Sequence, residues 1–110
     1  MYTQGQIVLV PFPFTDQTNY VKRPALVISC NSFNNQSQDI ILAMVTKEEH
    51  NDGNSISLSR NDVTTPLNFV SEIRCHKILV ADQKIIIKPV SSVRHHIVKK
   101  VIEKINQIIS

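Results

Sequence analysis

The sequence predicts a mainly β domain with some helix: a small antiparallel barrel closed by one C-terminal amphipathic helix. Three observations predict it. Apolar runs of strand length recur along the chain. Polar, turn-forming breaks separate them. Beyond residue 90 the apolar spacing changes to three and four residues, the period of a helix face.

The elements follow in order. Residues 7–12 read as a strand whose end, at Pro11 and Pro13, belongs at an edge or a turn. Residues 13–22 are a polar loop. Residues 24–29 form a second strand, and 31–38, rich in Asn, Gln and Ser, a second polar loop. Residues 40–46 are apolar on both faces, which predicts a central strand. Residues 47–53 are charged and turn at Gly53. Residues 55–59 alternate Ser with Ile and Leu, so one face is wet. Residues 61–66 turn again. Residues 67–74 and 78–80 are further strands, and 85–87 a strand or short bridge. Ser91 or Ser92 is expected to cap the helix, as a side chain that accepts an early backbone N–H. Val93, Ile97, Val98, Val101, Ile102, Ile105 and Ile109 then form one apolar stripe. β-branched residues are mediocre helix formers, so packing must hold this helix.

One hundred and ten residues with a 42% apolar share suit one domain, residues 1–110. Residues 1–12 lack a basic n-region and a cleavage site, and no apolar run approaches the ~20 residues of a membrane helix. A cytoplasmic protein with no membrane segment is expected. Cys30 and Cys75 belong to no CxxC pair, and the four histidines show no ligand spacing with them. Two buried thiols in a reducing compartment, and no structural metal, follow. The two glycines, Gly5 and Gly53, could not build a phosphate-binding loop, and no nucleotide cofactor is expected.

The net charge of +3 hides an asymmetry. Residues 1–73 carry four Lys/Arg against seven Asp/Glu, whereas residues 74–110 carry eight against two. Such a basic segment suits a polyanion or an acidic protein segment, although lysines on a terminal helix are also its ordinary solvated face.

Few side chains carry chemistry. Arg23 precedes Pro24, which confines it to extended backbone, and its guanidinium can fork onto two phosphate oxygens. Thr46 closes the apolar strand, where a hydroxyl at the sheet's rim could hold a phosphate oxygen. Arg74-Cys75-His76-Lys77 gathers two fixed cations and an imidazole able to act near neutral pH. Each is equally a common surface or strand residue when taken singly. His50, His95 and His96 are weaker candidates, and the last two cannot share a helix face.

Taken in order, these phrases resemble the MazF/PemK family of toxin ribonucleases. Gly5-Gln6-Ile7-Val8 is similar to its opening strand. Lys22-Arg23-Pro24-Ala25-Leu26-Val27-Ile28-Ser29 is similar to its arginine-proline strand. Residues 41–46 resemble the strand ending in the family's active-site threonine, and Ser71-Glu72-Ile73-Arg74 its later x-I-R strand. The terminal helix falls where the family's does. Three departures stand out: Gln6 where an acid is common, a glycine-free first loop, and Cys75-His76-Lys77 where relatives continue Thr-x-Asp.

The resemblance implies an SH3-like barrel, a homodimer, and metal-independent cleavage of single-stranded RNA to a 2′,3′-cyclic phosphate and a 5′-hydroxyl. It maps catalysis to Arg23 and Thr46. Asp16, Arg74, His76 and Lys77 are expected to bind RNA, with Asp16 and His76 both open as the general base. A cognate antitoxin would cover the RNA groove with an acidic segment. The alternatives are a non-catalytic RNA- or peptide-binding module and a CcdB-like gyrase poison.

Overall fold

The computed structural model describes residues 1–12, 21–50, 52–67 and 71–110. In chain order the elements are β1 (Gln6–Phe12), β2 (Val21–Val27), α1 (Asn31–Gln36), β3 (Asp39–Thr46), β4 (Ser55–Leu58), β5 (Ser71–Asp82), β6 (Lys88–Ser92) and α2 (His95–Ile109). The six strands form one antiparallel sheet in the order β4-β5-β3-β2-β1-β6. The doubly apolar β3 is an inner strand, as its sequence predicts. The sheet curls. Beyond β4, Val63 bridges Val93, and the Thr64 N–H donates to the Ser92 carbonyl at 2.8 Å, which draws the two ends together.

The inner strands bury residues on both faces. Ile7, Leu26, Ala43, Val45, Ile73 and Cys75 pack beneath Ile97, Val98 and Val101 of α2. Val8, Val10, Ala25, Val27, Ile40 and Leu42 form a second cluster on the opposite face, with Ala81 and Ile86. Strand alternation alone sorts these residues into two sets. The three buried helix residues contribute on the order of 2 kcal/mol each by transfer from water. Ile102 and Ile109, on the far part of the predicted stripe, are 36% and 75% exposed. Gly5 has φ +94°, and a Cβ there would lie 3.3 Å from the Val98 Cγ2. It lets β1 begin directly under α2.

Several expectations are corrected. Residues 31–36 are helical because Asn34 is fully buried: its amide donates to the Ser29 carbonyl at 3.0 Å, and Ser29 in turn accepts the Ile41 N–H. The two strands expected at 67–74 and 78–80 include one continuous β5. Its register against β3 shifts between the pairs Ala43–Ile78 and Val45–Ile73, so residues 74–77 form the irregularity. At 83–85 there is a 3-10 turn, capped by the Asp82 carboxylate on the Lys84 N–H. The last strand lies later, on the sheet's edge, where Pro89 is tolerated. Neither Ser91 nor Ser92 caps α2. Both belong to β6, and the Ser91 hydroxyl bonds Thr65. Arg94 occupies the cap position, and its N–H donates to the Asp62 carbonyl. Cys75 is buried, but Cys30 is exposed.

Candidate functional site

Arg23 continues the row that Ala25 and Val27 begin on β2, so it emerges where the second apolar cluster ends. It is the third residue of the strand rather than a loop end, and it stands opposite Val10 of β1. Thr46 continues the row of Ile40 and Leu42 on β3, on the same side. The β2–β3 ladder pairs Ala25 with Met44, and two further steps of that register set Arg23 against Thr46. Both line one cleft of about 200 Å³, together with Lys22, Pro24, Val45, Lys47 and Glu48. Three cations thus face one carboxylate, which favours an anion.

The Thr46 hydroxyl has a fixed role. It accepts the Glu48 backbone N–H at 3.2 Å, so its own proton is free to donate into the cleft. Across β3, Thr46 pairs with Glu72 of β5, and Glu72 pairs with Ser57 of β4. A polar row therefore crosses the sheet where its apolar rows stop. Glu72 is 4% exposed, and its Oε2 receives the His50 backbone N–H at 3.3 Å, with the His50 Nδ1 at 3.4 Å.

Arg74 and His76 form a neighbouring cluster and do not line the cleft. The Arg74 Nη2 lies 3.0 Å from the Asp52 carboxylate and 3.2 Å from the His76 Nε2. Since a guanidinium only donates, the His76 Nε2 accepts and Nδ1 carries the proton. The basic nitrogen of His76 is thereby occupied, which argues against it as general base. Among the described residues, Ser55 Oγ, Arg74 Nε and His76 Nδ1 are buried without a hydrogen-bond partner. Ser55 pairs with Arg74 in the β4–β5 ladder, so all three belong to one patch. The Asn54 backbone N–H holds the Asp52 carboxyl below its usual range, and Arg74 and His76 reinforce this. Lys77 is exposed. Asp16 lies outside the described residues.

Sequence reasoning missed Glu72 and ranked His50 low. Glu72 falls at the variable position of the x-I-R phrase and His50 in no motif, and only the strand register brings Glu72 beside Thr46. A larger hollow of about 270 Å³ lies between α2 and the sheet, lined by Gln4, Ile28, Ser29, Cys30, Ile41, Ile102 and Ile105. It is almost wholly apolar and holds no cation. Among the described residues, no three His, Cys, Asp or Glu side chains gather as a metal-ligand set would.

A mainly antiparallel sheet, curled into a half-barrel, with a C-terminal helix is the fold class that MazF structures share. The chain belongs to the family of PemK-like, MazF-like toxins of type II toxin-antitoxin systems, whose model matches residues 3–109. It is similar in fold to MazF in a MazE–MazF crystal structure from Deinococcus radiodurans: TM-score 0.79, 16% identity, covering 97% of this chain and 94% of that one. The Mycobacterium tuberculosis toxin MazF-mt6 gives TM-score 0.75 at 12% identity, with 93% of each chain covered. A mycobacterial endoribonuclease in complex with its cognate antitoxin gives 0.73 at 15%, covering 96% of this chain and 88% of that one. At such identities the likeness shows the fold. No curated protein sequence matches.

Proposed function

We propose that this toxin is a metal-independent, sequence-specific endoribonuclease acting on single-stranded RNA. The observation that carries the reading is the cleft shared by Arg23 and Thr46. In this mechanism the RNA's own 2′-hydroxyl attacks the adjacent phosphorus. Arg23 stabilises the charge that grows on the phosphorane, and Thr46 donates its hydroxyl proton to a phosphate oxygen. A fixed donor of this kind is worth about 3 kcal/mol of barrier. The products are a 2′,3′-cyclic phosphate and a 5′-hydroxyl.

Arg74, His76 and Lys77 extend the grip on the RNA beyond the scissile group. The unpartnered Ser55 Oγ, Arg74 Nε and His76 Nδ1 support this role, because buried donors without acceptors favour an acceptor-rich ligand. Asp16 is proposed to contact RNA from the first loop.

The protein acts in the cytoplasm, as a homodimer held by a cognate antitoxin. The exposed Ile78, Val80, Ile102 and Ile109 support association through apolar surface. The basic segment 74–110 suits an acidic antitoxin segment. No helix among the described residues is long and apolar enough to cross a membrane.

The test is purified protein with a long RNA and EDTA, read by primer extension. Cuts at one short motif that persist under chelation support the reading. Intact RNA overturns it, and DNA breaks on induced expression would point to a gyrase poison instead.

A further inference from the structure

We propose that His50 is the general base of this site and that Glu72 is the residue that positions it. The inference rests on the ribonuclease reading above and fills the role that reading leaves open. Glu72 is a buried carboxylate, its side chain 6% exposed, and it pairs with the His50 imidazole at 3.4 Å. A buried carboxylate is costly unless paired and hydrogen-bonded. Here two donors of one residue converge on one oxygen: the His50 backbone N–H and its Nδ1.

The carboxylate can only accept, so the His50 Nδ1 carries the proton and Nε2 keeps its lone pair. The imidazole side chain is 30% exposed, against 6% for the carboxylate. A basic nitrogen on a half-open ring, backed by a buried acid, is the arrangement that lets histidine take a proton and be stabilised as it does. Glu72 pairs with Thr46 across the β3–β5 ladder, and Thr46 lines the cleft with Arg23, so the dyad borders the cleft through Thr46 without lining it.

The step balances without a co-reactant. The His50 Nε2 accepts the 2′-hydroxyl proton as the O2′–P bond forms and the P–O5′ bond breaks. The departing 5′-oxygen takes a proton from solvent, and His50 returns its proton to solvent. The charged groups around the dyad are Glu72 and Arg74 from β5, the latter paired with Asp52. Glu48 and Glu49 lie on the connection that carries His50, and Lys22, Arg23 and Lys47 lie toward the cleft.

The test is the pH–rate profile of RNA cleavage by full-length protein and three variants. Wild type is expected to lose activity on the acid side with unit slope. His50→Gln lowers the rate by about 10²–10⁴-fold and abolishes that slope. His50→Ala recovers activity when imidazole is added to the buffer, a rescue that a structural role would not give. Glu72→Gln lowers the rate less than His50→Gln does and keeps the acid limb, because the base is still present but no longer held in place by its carboxylate. A His50→Gln protein with the wild-type rate and acid limb overturns the dyad. In that event Arg23→Ala still abolishes cleavage if the ribonuclease reading is right. A wild-type protein that cuts no RNA fails that reading and the dyad with it.

Discussion

Arg23 and Thr46 lie on neighbouring antiparallel strands and face one cleft of about 200 Å³. Their meeting has a simple origin. On β2 and β3 the apolar alternation that fills the second core cluster runs out at these residues, and polar side chains take the next place in each row. The sheet's curl and register bring the two row ends together. A guanidinium and a hydroxyl donor therefore share one rim with no dedicated loop between them.

Arg23 is exposed and lies outside both core clusters. Arg23→Ala is expected to leave the melting temperature unchanged and to lower RNA cleavage by about 10²–10³-fold. Arg23→Lys recovers only part of this, because a point charge cannot fork onto two phosphate oxygens. Melting curves beside cleavage rates check both statements.

The two thiols are expected to react very differently. Burial pushes the Cys75 thiol up to about 11, so it stays protonated near neutral pH. The Phe33 backbone N–H, with the Ser32 hydroxyl, lowers the exposed Cys30 thiol below its ordinary value. Iodoacetamide at pH 7.5–8 should label Cys30 in the native protein and Cys75 only after unfolding, as mass spectrometry of peptides would read. Equal labelling of both in the native state contradicts the burial of Cys75.

Asp62 anchors the turn that receives the start of α2. Its carboxylate accepts the Ser59 N–H at 2.7 Å and the Ser59 hydroxyl at 2.9 Å. These bonds, the backbone one foremost, hold it below the usual carboxylate range, with His96 assisting. A lowered folded value means that the stabilisation is complete above the unfolded value and fades as pH falls through the folded one. Asp62→Asn should cost about 0.5–2 kcal/mol at pH 7, the usual worth of such a cap. The difference from wild type should shrink below the unfolded value. Chemical denaturation at pH 7 and at pH 3 measures it.

Gly5 offers a stability test away from the site. A methyl group there meets the Val98 Cγ2 at 3.3 Å on a backbone with φ +94°, which side chains rarely adopt. Gly5→Ala should lower the melting temperature by several degrees, in line with the ~1–3 kcal/mol typical of such strain. An unchanged melting temperature would show that β1 can shift away from α2.

Much of this arrangement was legible in the sequence. The doubly apolar residues 40–46 announced an inner strand, and Pro24 announced the extended backbone of Arg23. What stayed hidden depends on contacts remote in the chain. Asn34 turns residues 31–36 into a helix by bonding Ser29 in the core, which composition cannot reveal. Ser91 and Ser92 look like helix caps, yet pairing with Gln6, Ile7 and Thr65 claims them for β6. Glu72 and His50 are 22 residues apart, and Glu72 reaches Thr46 only through the β3–β5 register. The shift at residues 74–77, which directs Arg74 toward Asp52, likewise arises from pairing rather than from local propensity.

A double-mutant cycle on RNA cleavage, with Arg23→Ala, Thr46→Val and the combined variant, tests most directly whether the two side chains act on one phosphodiester. Groups that share a transition state are coupled, so the combined loss should fall short of the summed single losses by at least ~1 kcal/mol. Losses that add within ~0.5 kcal/mol, or single variants that cut as fast as wild type, would contradict a common phosphate.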